Sequence, residues 1–74
     1  MAAAKDAGEE RLVRLVHDLR TPLTVITGFC ELLDRQADKL TEEQRKEYLN
    51  RVSLAAAEMR DILDHERSER LAGG

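Results

Sequence analysis

Apolar residues in the first half of the chain fall at Leu12, Val16, Leu19, Leu23, Ile26, Cys30, Leu33 and Ala37, in steps that alternate four and three. A 3.5-residue period held that long predicts the seam of a supercoiled helix. Leu15, Phe29 and Leu32 flank the seam and widen it, which favours a bundle over a two-stranded contact. The second half repeats the stepping at Tyr48, Val52, Ala55, Met59 and Ile62, with Leu49, Ala56 and Leu63 as a flanking row. Between the two lies the polar stretch "ADKLTEEQRKEYL", where the first pattern stops.

Each predicted helix has a start signal. Asp6 with Glu9, and Thr41 with Gln44, have the spacing of capping boxes, and Glu42 and Glu43 place carboxylates in the first turn of the second helix. The predicted elements are helix 1 over about 8–37, a turn over 38–41 and helix 2 over about 42–71, within one domain spanning 1–74. No strand signal or repeat interrupts them. The fold class is therefore all-α, a helical hairpin. Two helices with two wide apolar stripes have only each other to cover them, so the hairpin is expected to form a homodimer that closes an antiparallel four-helix bundle.

Composition narrows the function. With 74 residues and a net charge of −3, mixed charges and no basic stripe, the chain lacks the electrostatic footprint of a nucleic-acid binder. No apolar run approaches the ~20 residues of a membrane span and no signal peptide is apparent, so direct membrane contact is not expected. Cys30 is the single cysteine, which excludes an internal disulfide and suits a reducing compartment. At a seam position it reads as a small buried hydrophobe. No zinc-type spacing occurs. His65 with Asp61 one turn before it reads as a solvated helix face rather than a metal pair, and no metal site is expected.

The segment "HDLRTPLT", His17 to Thr24, is where chemistry concentrates. It places the only proline inside a predicted helix, where proline costs roughly 3 kcal/mol. With Val16 and Leu19 on the seam, His17 points outward, and Thr21, Thr24 and Gly28 continue its face as a small polar strip open to another protein. Taken alone, these side chains read as an ordinary solvated surface. Pro22 adds a functional reading: it removes the hydrogen bond to the Asp18 carbonyl and makes the helix bendable beside the imidazole.

His17, Asp18, Leu19, Arg20, Thr21, Pro22 and Leu23 resemble, in order, the H-box of bacterial sensor histidine kinases, in the dimerisation and histidine-phosphotransfer (HisKA-type) domain. The resemblance extends as a pattern from about Glu9 to Leu71. It implies that His17 is phosphorylated from ATP and passes the phosphoryl group to an aspartate of a response-regulator receiver domain. A free imidazole titrates near pH ~6.5 and is a good neutral nucleophile at cellular pH. By resemblance, Asp18 is the general base at the other ring nitrogen and Thr21 positions water when the domain dephosphorylates its receiver; from sequence alone the Thr21 hydroxyl equally suits a bond back to a helix carbonyl beside Pro22. Arg20 either steadies phosphate, pairs with Asp18 or is simply solvated. Neighbouring side chains diverge by about 100° on a straight helix, so an Asp18–His17 contact needs a particular rotamer or a bend at Pro22.

No Gly-rich or Asn/Asp-rich nucleotide-binding segment is present, so this chain is expected to be part of a histidine protein kinase rather than a complete one. It needs no cofactor of its own. ATP and Mg2+ would be held by a separate catalytic domain of the same parent, which with the receiver and a second copy completes the expected partners. The expected location is cytoplasmic, with a membrane-anchored parent compatible. Two other readings share the seam: a degenerate dimeric interaction module without phosphotransfer, and a free-standing phosphorelay protein.

Overall fold

The computed structural model describes residues 7–73, which form two helices, α1 at Ala7–Arg35 and α2 at Glu42–Gly73. Asp6, the expected cap of α1, lies outside the described residues. Glu9 and Glu10 place negative charge in the first turn of α1, where the helix dipole favours it. At the start of α2 the predicted capping box forms. The Gln44 N–H donates to Thr41 Oγ1 at 3.0 Å, and the Thr41 N–H donates to Gln44 Oε1 at 2.9 Å.

The connection differs slightly from expectation. α1 ends at Arg35, two residues early, and residues 36–39 form a turn. The N–H groups of Lys39 and Leu40 both donate to the Gln36 carbonyl, at 2.9 and 3.0 Å. The segment has no glycine for a left-handed helix cap, and no described residue takes a positive φ. The chain therefore reverses through an extra right-handed turn, and Arg45 reaches back to donate to the Ala37 carbonyl at 3.2 Å. Ala37, expected on the seam, belongs to this turn.

Two contacts fix an antiparallel register. Near the turn the rings of Phe29 and Tyr48 pack with centroids 5.2 Å apart, tilted by 46°. At the open end Arg11 Nε lies 3.8 Å from Glu66 Oε1. Both imply the same pairing, one residue back along α2 for each residue forward along α1, which sets Pro22 level with Ala55. Among the described residues these are also the two buried ones, Pro22 less than 2% exposed and Ala55 8%. The smallest methyl side chain opposite the ring lets the helices approach.

The register corrects the expected seam. On α1 the half-buried or buried row is Leu15, Leu19, Pro22, Ile26, Phe29 and Leu33. Leu12, Val16, Leu23 and Cys30 are exposed, so Cys30 is not the buried hydrophobe expected. The stripe is wide enough for two contacts, and the hairpin satisfies only one edge of it. On α2 the expected row of Tyr48, Val52, Ala55, Met59 and Ile62 faces α1, while Leu49, Ala56 and Leu63 stay exposed.

The uncovered residues of the expected seam and flanking row share one side. In an antiparallel pair, the residue that follows the contact position turns to the same face on both helices, here Leu23 after Pro22 and Ala56 after Ala55. Seven-residue steps extend that face as Val16, Leu23 and Cys30 on α1 and Leu49, Ala56 and Leu63 on α2. Val16, Leu23, Leu49 and Leu63 are 46 to 51% exposed. Thr21 and Leu54, one residue earlier, turn to the opposite face. The hairpin is a slab of 55 × 27 × 10 Å, one helix thick. It exposes 6195 Å², whereas a compact monomer of 8.4 kDa exposes about 4,600 Å².

Candidate functional site

His17 lies in the third turn of α1, on the side away from α2. Helix geometry alone puts it there, since the α2-facing row passes through Leu15 and Leu19. Its side chain is 83% exposed. The ring turns along the helix so that Nδ1 lies 3.4 Å from Asp18 Oδ1. That is longer than an ordinary hydrogen bond, at ~2.7–3.2 Å. It is close enough to orient the ring, and it shows that a rotamer, rather than a break in the helix, bridges the angular divergence of neighbouring residues. Nε2 makes no hydrogen bond to any described residue.

Thr21, Thr24 and Gly28 are exposed beyond His17, as the sequence implied. Their chemistry is not uniform. Thr24 Oγ1 donates to the Arg20 carbonyl and Thr27 Oγ1 to the Leu23 carbonyl, both at 2.9 Å. These bonds tie the two hydroxyls to the helix in the turns after Pro22. Thr21 makes no such bond among the described residues, so its hydroxyl alone on the strip has a proton free to donate to a partner. Gly28 opens onto empty space, with nothing within 4 Å of where a Cβ would sit.

Arg20 is exposed and pairs with no described residue, so the Asp18–Arg20 pairing considered from sequence does not form. Pro22 remains inside a continuous α1 and is buried against α2. The sequence suggested a hinge. The structure adds a packing role that its position off the predicted seam had concealed. His65 Nε2 approaches Glu69 Oε2 at 3.5 Å. Among the described residues, no group of three side chains is arranged to hold a metal ion.

Two features escaped the sequence reading. Arg14, three residues before His17, shares a shallow hollow with it, together with Glu10 and Val13. The three-residue spacing that places neighbours on adjacent helix turns was the available signal. The second feature is apolar. Val25 and Leu54, 37% and 60% exposed, lie with half-buried Leu32 on the face opposite the Leu23 row.

No described helix is long and apolar enough to cross a membrane. Residues 11–69 match a family described as HisKA, His Kinase A (phospho-acceptor) domain. No curated protein and no solved structure gives a match.

Proposed function

The chain belongs to the His Kinase A (phospho-acceptor) domain family, the phosphoacceptor and dimerisation domain of two-component histidine kinases, and we propose that His17 is the residue that takes up the phosphoryl group and passes it on. The exposure of its ring supports this most directly: the side chain is 83% exposed and Nε2 makes no hydrogen bond to any described residue, with a carboxylate beside the opposite ring nitrogen. With the proton on Nδ1, pointing toward Asp18, Nε2 carries the lone pair and is the nucleophile. As the Nε2–P bond forms, Asp18 stabilises the positive charge on the ring and draws off the Nδ1 proton. Reversal at the receiver breaks that bond and returns the lone pair to Nε2.

ATP is a substrate held by the kinase's catalytic domain. The free hydroxyl of Thr21, one turn from His17, suits the water-positioning role in receiver dephosphorylation. Arg20, exposed on the other flank, pairs with no described residue and reads as a solvated charge. Pro22, which leaves the Asp18 carbonyl without its helix donor, softens α1 beside the ring.

Domains of this family typically dimerise and interact with catalytic domains and response regulators. For this chain we place the homodimer contact on the Val16–Leu23–Cys30 and Leu49–Ala56–Leu63 face, which closes a four-helix bundle and covers much of the surplus surface. The opposite face, with Val25, Leu32 and Leu54 below the His17–Thr21 strip, is left for the receiver. Both ATP and the receiver imply a cytoplasmic setting. An interaction-only module would not require an unobstructed imidazole beside a carboxylate and a free hydroxyl.

The test is labelling in trans. Incubated with ATP and a HisKA-type kinase's catalytic domain, the wild-type chain becomes labelled and His17→Ala does not. Labelling that survives His17→Ala would remove His17 from the mechanism.

A further inference from the structure

We infer that Arg14 is a positioning residue whose guanidinium grips the phosphoryl group once it is on His17, an inference that rests on His17 being the acceptor. Arg14 and His17 line the same shallow hollow, together with Glu10 and Val13. Helical side chains lean toward the N-terminus, so the His17 ring overlies the turn that carries Val13 and Arg14. The ring's Nδ1 edge is turned to Asp18 at 3.4 Å, which leaves Nε2 as the edge that receives phosphorus. Arg14 is exposed and forms no ion pair or hydrogen bond among the described residues, although Glu10 lies one turn before it and Asp18 one turn after. Nearby Arg11, by contrast, is engaged with Glu66.

A free planar fork of N–H donors one turn from the acceptor suits the oxygens of a phosphoryl dianion, which guanidinium meets bidentately. The addition of about two negative charges at Nε2 gives Arg14 a partner that the described residues do not supply. Glu10, the third charged group at the hollow, opposes the phosphoryl group and makes the guanidinium more necessary. The spacing also explains why Arg14 rather than Arg20 is chosen: Arg20 is three residues on, in the direction away from which the ring leans.

The experiment uses the full chain with His65→Gln, so that His17 is the only histidine. Phosphoramidate supplies the phosphoryl group: its N–P bond breaks, the Nε2–P bond forms, and the imidazole proton leaves with ammonia as ammonium. Phosphorus-31 NMR then follows the titration of the phosphoryl group on His17. A guanidinium favours the dianion, so Arg14→Gln raises the midpoint by about 0.3–0.7 pH unit, the size of one exposed charge contact. Arg14→Lys recovers part of the shift. Arg35→Gln, which removes the same charge roughly 27 Å along the helix, leaves the midpoint in place. An unmoved midpoint in Arg14→Gln, or an equal shift in Arg20→Gln, would overturn the assignment while leaving His17 as acceptor. Failure of His17 to take any phosphoryl group would instead defeat the acceptor reading, and this inference with it.

Discussion

Leu23→Ala tests which face of the hairpin joins two copies. Leu23 is 50% exposed, so about half of its side chain is already buried within the hairpin. Full burial of a leucine stabilises by about 1.5–3 kcal/mol, which leaves roughly 1 kcal/mol per protomer to be gained at the dimer face. A twofold interface counts the residue twice, so the substitution costs the dimer about 2 kcal/mol, or roughly 30-fold in Kd. Leu54→Ala is the matched comparison. It stands at the same level on the opposite face, is 60% exposed, and removes the same atoms. Sedimentation equilibrium over a dilution series reads both constants. The expected result is weaker association for Leu23→Ala and unchanged association for Leu54→Ala. Equal weakening, or a wild-type chain that stays a folded monomer at micromolar concentration, would refute the placement of the interface.

Thr41→Ala removes the hydroxyl that accepts from the Gln44 N–H, and is expected to cost about 1 kcal/mol, read as a lower midpoint in denaturant. Ala55→Leu forces a larger side chain against buried Pro22 and should destabilise by about 1–3 kcal/mol, measured by thermal unfolding. A neutral result would mean that the helices do not meet closely at that level. Thr21→Ala, which removes a hydroxyl without an internal partner, should leave labelling of His17 largely intact and slow dephosphorylation of the receiver at least several-fold, as seen by comparing the two rates in one reconstituted system.

The helices and the cap at Thr41 were legible because they depend on local chemistry: periodic apolar spacing, and a Thr and a Gln three residues apart. Outward projection of His17 followed from the same periodicity. The division of the stripe was not legible. A run from Leu12 to Leu33 shows that a broad face is apolar, but which edge meets α2 is decided by register, and register is set by long-range pairs such as Phe29–Tyr48. For that reason Cys30 and Leu23 fell on the open side and Pro22 on the closed one. The early end of α1 had a similar origin, since a chain without glycine at the reversal spends two more residues turning. The availability of Thr21, against the internal bonds of Thr24 and Thr27, depends on rotamers that no spacing encodes.

Transfer from the labelled domain to a receiver tests His17 as acceptor and donor in one measurement. The chain carrying His65→Gln is labelled with ATP and a catalytic domain, freed of nucleotide, and mixed with a cognate receiver. Label is expected to leave His17 and appear on the receiver's aspartate, and His17→Ala is expected neither to acquire label nor to donate it. Label held elsewhere on the chain, or a His17→Ala protein that still loads the receiver, would contradict that assignment.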